Sequence, residues 1–190
     1  MHRGSIIIVF LFLSGSLFSQ SISFVKEKIE MSIVDSSFAI NGKYYFINNS
    51  SKEINTNFYY PFVINKNFQF PDSISIKNED NVRVFYSKGK DGIFFNIKTM
   101  PQDSSEFTAY YRQKNLIKKA EYILTTTHNW NVPLQKAEYL IYLPNNLSLK
   151  SISLQPDSIK NGSTYKTYFI TKENFMPLVN LIVEWERSEK

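Results

Sequence analysis

Apolar and polar residues alternate along most of this chain with a period of two. Ile29, Met31 and Ile33 alternate with Glu30 and Ser32, the pattern of a strand with one wet face. Phe38 and Ile40 continue the pattern beyond Asp35-Ser36-Ser37, and Tyr44 to Ile47 follow Asn41-Gly42. Asn57 to Val63 reads as a strand whose end is marked by Pro61. Phe68 to Ile76 is a further strand region, broken at Pro71-Asp72. Val82 to Tyr86 and Ile93 to Ile97 flank a glycine-bearing hairpin connection at Lys88 to Gly92. The alternation resumes over Phe107 to Tyr111, Ala137 to Leu143, Leu149 to Leu154 and Tyr165 to Thr171. A last run places Val179, Leu181, Val183 and Trp185 on one face. About a dozen short strands at roughly ten-residue spacing predict an all-β fold, a β-sandwich of the immunoglobulin-like kind.

One stretch fits two periods. Leu116, Ile117, Ala120, Ile123 and Leu124 also match a helical repeat, and Asn115 suits a helix start. Three consecutive threonines follow, so Lys114 to Lys119 reads as a turn and Ala120 to Thr127 as a strand.

The punctuation recurs. Tyr44-Tyr45-Phe46-Ile47, a polar turn and Phe58-Tyr59-Tyr60-Pro61 parallel Glu121-Tyr122-Ile123-Leu124, a polar turn and Tyr142-Leu143-Pro144. Pro71-Asp72-Ser73-Ile74 parallels Pro156-Asp157-Ser158-Ile159, and Met100-Pro101 parallels Met176-Pro177. Order and spacing suggest a duplicated unit of about eighty residues. The expected organisation is a signal peptide over 1–19, a first β-unit over 20–105 and a second over 106–190. The two units either pack as tandem sandwiches or fuse into one continuous domain over 20–190.

The signal-peptide expectation rests on a basic start at His2-Arg3, the apolar run Ser5 to Leu13 and the small residues Ser14 to Ser19. Cleavage after Ser16 or after Ser19 fits, and either implies a secreted or periplasmic protein. That apolar run is shorter than the ~20 residues a spanning helix needs. The chain has 190 residues with 43% hydrophobic and 16% aromatic content, enough for a sizeable core. Loss of Arg3 with the leader takes the net charge from +5 to +4, and the lysines are scattered, which gives no nucleic-acid footprint. With no cysteine, disulfides, thiolate metal sites and cysteine nucleophiles are excluded.

The candidate chemistry gathers around Thr125 to Pro133. His128 is the one histidine after His2; it has no His-x-x-x-His partner and the chain has no Gly-x-Ser-x-Gly elbow, so no metal site and no catalytic residue is predicted. Asp72, Asp157, Glu79 and Asp80 lack the spacing of a calcium loop, and no cofactor fingerprint appears. Trp130, with Asn129 and His128 beside it and Tyr110 and Tyr142 in reach of the same surface, forms a candidate ligand surface; Tyr59 could extend it. Trp185 reads as core.

Tyr44 to Asn48, Tyr60-Pro61-Phe62, and Tyr122 to Thr127 with Trp130 and Pro133 together resemble secreted bacterial β-sandwich domains of unknown function. The resemblance implies an extracytoplasmic β-sandwich and carries over neither catalytic residues nor a ligand. The expected function is therefore a non-enzymatic exported protein that acts by contacts with another envelope or extracellular protein. The alternative is a carbohydrate-binding module that uses Trp130 and nearby tyrosines.

Overall fold

The computed structural model describes residues 21–34 and 36–188. The leader expected over 1–19 lies outside the described residues, as does Asp35. Among the described residues, no helix is long and apolar enough to cross a membrane.

The alternating segments are strands. β1 (Ile22–Val34) and β2 (Ser37–Asn48) pair antiparallel over nearly their full length. β3 (Ile54–Pro61) and β4 (Ser73–Asn78) follow, then two short strands, β5 (Arg83–Val84) and β6 (Ser87–Lys88). β7 (Gly92–Thr99), β8 (Ser104–Lys114) and β9 (Lys119–Tyr122) lead to a 3-10 helix at Thr125–Trp130. The remainder is β10 (Leu134–Pro144), β11 (Leu147–Ile152), β12 (Ser158–Asn161), β13 (Tyr165–Phe175) and β14 (Leu181–Arg187).

Eight strands form one sheet in the order β12-β13-β10-β1-β2-β8-β4-β5. Its inner face is covered by two three-stranded sheets, β11-β14-β9 and β3-β7-β6. The protein is thus an all-β sandwich in which one broad layer carries two narrow ones. The broad sheet takes strands from both 20–105 and 106–190, joined where β1 and β10 pair in parallel from Lys26↔Lys136 to Ser32↔Tyr142. The other ladders of that sheet are antiparallel. Of the recurring landmarks, β4 and β12 both lie at or near an edge of the broad sheet. β2 and β9 stand in different sheets, as do β3 and β10, and β8 and β14.

Alternation decides what is buried. Ile29, Met31 and Ile33 of β1, Phe38 and Ile40 of β2, and Tyr139, Ile141 and Leu143 of β10 all face inward. So do Leu181, Val183 and Trp185 of β14. The outer face of the broad sheet is a charged lattice typical of a solvated antiparallel sheet. Lys43 pairs with Glu106 at 2.5 Å, and Lys136 and Lys26 both reach Glu138, at 3.0 and 3.4 Å.

Local rules shift two phases. In β1 a bulge between Phe24 and Lys26 inserts one residue, so Ile22 and Phe24 are buried and then Glu27 rather than Lys26. In the turn after β2, Asn48 is fully buried. Its amide donates to the carbonyls of Lys52, Thr99 and Met100, and its Oδ1 accepts from the Ser50 N–H. Asn48 is the internal peg of that turn.

Two expectations need correcting. The strand expected over 120–127 ends at Tyr122, and the threonines begin the 3-10 helix. The cause is distant in sequence: the Asn180 side-chain oxygen accepts from the N–H groups of Leu124 and Thr125 and from the Thr125 hydroxyl, satisfying the start of that turn. Residues 116–118 form a bend, in agreement with the expected turn. Val179, expected on the buried face of the last strand, precedes it and is exposed.

Candidate functional site

The two narrow sheets lie side by side over the broad one. Between them lies a cleft of about 320 Å³ whose floor is the inner face of the broad sheet. β1 and β2 supply Phe24, Glu27, Tyr44 and Phe46, and β8 supplies Phe107. One wall is β3, from Thr56 to Pro61. The other is Tyr122 of β9 with Ile123 and the 3-10 helix residues Thr126, Thr127, Asn129 and Trp130.

Trp130 closes the apolar end. Its ring centroid lies 6.0 Å from that of Phe24, 5.4 Å from Phe46 and 6.2 Å from Phe58, so it rests on both the floor and the β3 wall. The residue is half-buried. Phe46 and Phe107 stack at 5.6 Å, and Phe58 meets Phe107 edge-on at 5.2 Å. Offset and edge-on arrangements of this kind are the favoured geometries of aromatic pairs.

The polar end is a chain of hydroxyls. Tyr44 hydrogen-bonds through its one hydroxyl to Tyr60 of β3 at 2.6 Å and to Tyr122 of β9 at 2.8 Å. A single oxygen on the floor therefore ties both walls to the broad sheet. Gly42 makes the geometry possible: a Cβ there would overlap the Tyr44 ring, 2.6 Å from Cζ. Beside this chain sits Glu27, only 2% exposed, which accepts from the Tyr139 hydroxyl of β10 at 2.6 Å.

Burial dominates the electrostatics here. It pushes the Glu27 carboxyl up to about 7, against the opposing pull of hydrogen bonds from Tyr139 and Tyr122. Burial likewise raises Tyr44, Tyr60 and Tyr122 well above the ordinary phenol range, so their hydroxyls stay neutral. On the β3 wall the buried Thr56 Oγ1 has no hydrogen-bond partner among the described residues. A buried hydroxyl oxygen in that state has lost its hydration without a replacement bond.

Of the residues singled out from sequence, Trp130 and Asn129 line the cleft, and so does Tyr59, at its exposed margin. His128 is adjacent in the same 3-10 helix but is engaged elsewhere, its Nε2 lying 2.8 Å from the Pro177 carbonyl oxygen. Tyr110 and Tyr142 do not join them. Each alternates with buried residues of its strand and lies on the outer face of the broad sheet, opposite Asn41 and Ser32 respectively. Sequence reasoning missed Glu27, Tyr44, Tyr60 and Tyr122. A signal for Glu27 existed: it shares the parity of Ile29, Met31 and Ile33, so extending that alternation back by one step puts a carboxylate inside.

No family model and no curated protein matches the chain. Among solved structures, it is similar to a Legionella pneumophila protein provisionally assigned as nutrient-binding. That likeness has a TM-score of 0.69 at 16% identity and spans 87% of this chain and 67% of the other. It is also similar to an M1 zinc metallopeptidase from Deinococcus radiodurans, with a TM-score of 0.54, 8% identity and 87% of this chain covered. The chain spans less than half of that enzyme, 43% of its length. At these identities the likenesses establish a shared fold.

Proposed function

We propose that this chain is an exported, non-enzymatic binding protein that receives a small organic ligand in the cleft between its two narrow sheets. The carrying observation is the cleft itself: aromatic walls and a few convergent polar groups, Glu27 and the hydroxyls of Tyr44, Tyr60 and Tyr122. That combination is what small-molecule sites generally show. The leader pattern at the start of the sequence supports export. Among the described residues the His128 Nε2 sits against the Pro177 carbonyl oxygen rather than a hydroxyl nucleophile, which fits a binding role. The Legionella protein of similar fold, provisionally nutrient-binding, is compatible with the same reading.

The test uses Trp130 as reporter. The mature protein is titrated with small aromatic metabolites while tryptophan emission is followed, with Trp130→Phe as control. A saturable change confined to Trp130, lost in the cleft-filling variant Thr56→Trp, is expected. No saturable change, or binding that survives Thr56→Trp, overturns the reading.

A second reading, contact with another envelope protein, is favoured by one feature. Phe85 beside β5 is 85% exposed and Ile159 on β12 is 57% exposed, so an apolar residue stands at each edge of the broad sheet. Edges of this kind accept added strands. A loss of partner cross-linking in Phe85→Asp or Ile159→Asp supports it, and unchanged cross-linking in both rejects it. A glycan ligand would meet Trp130 as a cleft wall backed by three rings rather than as a free platform.

A further inference from the structure

Among the described residues, those lining the cleft include no lysine, arginine, histidine or aspartate. Their ionisable groups are Glu27 and four tyrosines, and three of those tyrosines are held neutral by burial. The only charge the cleft can present near neutral pH is thus negative. No cationic side chain among the described lining residues can pair an anionic ligand, and a carboxylate or phosphate entering would meet a buried carboxylate of the same sign. An ionised Glu27, for its part, has no counter-charge within the cleft. Its chain neighbours Lys26 and Lys28 face the opposite side of the sheet, where they reach Glu138 and Glu30 at 3.4 Å each.

We propose that the ligand is a small organic cation, its protonated amine set against the Glu27 carboxylate and its organic part held by the ring faces of the cleft. This deepens the reading of the cleft as a binding site and rests on it. Three features carry it. Glu27 combines burial with a place in the lining. Its carboxylate has capacity beyond the bonds from Tyr139 and Tyr122, since two oxygens offer about four acceptor positions. Aromatic faces surround the site, and cations bind favourably over such faces when water is excluded. The volume lies at the low end of the ~300–1,000 Å³ of small-molecule sites, room for one ring and a short tail.

Binding of a cation requires Glu27 to be ionised. The groups that face it are the hydroxyls of Tyr139 from β10 and Tyr122 from β9, with Tyr44 from β2 and Tyr60 from β3 beyond them. All are neutral, so Glu27 alone sets the charge. Affinity for an amine should therefore rise with pH as Glu27 loses its proton, while affinity for a neutral analogue should stay level.

The experiment is calorimetric titration of the whole protein with 2-phenylethylamine and with its neutral analogue 2-phenylethanol, at pH 5.5 and pH 7.5. Wild type and Glu27→Gln are compared, with thermal unfolding to check that the variant is folded. The expected result is at least a tenfold preference for the amine at pH 7.5, shrinking at pH 5.5 and absent in Glu27→Gln. The pH comparison needs no variant, so it stands even if Glu27→Gln folds poorly. Equal affinity for amine and alcohol at both pH values overturns this inference and leaves the cleft as a neutral-ligand site. No saturable binding of either probe overturns this inference and counts against the cleft as a site of this size.

Discussion

Two carboxylates stand one position apart across the ladder between β1 and β10. Glu27 is in register with Ala137, and Glu138 is the next residue along. Their environments are opposite. Glu27 points inward, is 2% exposed and has its carboxyl raised by burial to about 7. Glu138 points outward, where its lysine partners, Lys136 foremost and Lys26, hold its carboxyl below the usual range. The sheet separates the two by its pleat alone. The same side chain on the same kind of strand is a solvated ion-pair partner on one face and a desolvated group lining a cleft on the other. The difference lies in solvent access and neighbours, not in local sequence.

The largest effect that tests this contrast is the pH dependence of stability. In the unfolded chain Glu27 releases its proton near its ordinary 4.5, and in the folded protein it keeps it up to about 7. The folded state thus binds more protons between those values. Its contribution to stability is complete below pH 4.5 and is lost as pH rises to 7, about 3 kcal/mol in all. Urea unfolding across pH 4 to 8 should show this fall in wild type and a flatter profile in Glu27→Gln. Parallel profiles would mean that Glu27 is not desolvated as described.

A somewhat smaller effect is expected from Gly42→Ala. The added methyl displaces the Tyr44 ring and with it the hydroxyl joining the two walls, at a cost of about 2 kcal/mol by overpacking. Chemical denaturation measures it, and a neutral outcome would show that the hydroxyl junction is dispensable. Tyr139→Phe removes the bond donated to Glu27, at about 1.5 kcal/mol. Because that bond lowers the Glu27 carboxyl, its loss should also move the upper end of the pH window above 7. NMR titration of the Glu27 side chain would record the shift, and a downward one would contradict the assignment.

The smallest effect is on the outer face. Glu138→Gln should cost less than about 1 kcal/mol, as exposed ion pairs do. Its sign is reversed relative to Glu27: with the Glu138 carboxyl depressed in the folded state, the stabilisation is present above its ordinary range and lost as pH falls through the lowered value. A loss of several kcal/mol in Glu138→Gln would erase the distinction between the faces.

Much of the sandwich was legible because alternation carries it. Ile29, Met31 and Ile33, or Leu181, Val183 and Trp185, state their own faces. The site was less legible, for reasons that differ by residue. Glu27 obeys the parity of its strand, yet the bulge at Phe24 to Lys26 hides the phase for anyone reading from the other end. Trp130 and Asn129 stood out as a rare ring and a turn amide beside each other. Tyr44, Tyr60 and Tyr122 look like ordinary strand tyrosines. Only folding across 16 and 78 positions brings their hydroxyls together. The threonines at 125–127 have strand propensity, and a side chain from Asn180 overrides it. Tyr110 and Tyr142 are aromatic and polar like the others, but their parity puts them on the wrong face.

The parallel pairing of β1 with β10 also sets a timetable for folding. Ser37 to Asn48 can pair with β1 as soon as both have been made, a local event. The other edge of β1 must wait for partners 110 residues further along, as Lys26 pairs with Lys136 and Ser32 with Tyr142. Closing so long a loop before any contact rewards it slows the search, and domains dominated by such distant pairings fold in milliseconds to seconds. During that interval β1 offers an open edge with Ile29, Met31 and Ile33 uncovered, a template for pairing with another nascent chain. The seam that makes one molecule of two halves is therefore also where aggregation during synthesis should begin, and where a chaperone or a slower elongation rate should help most.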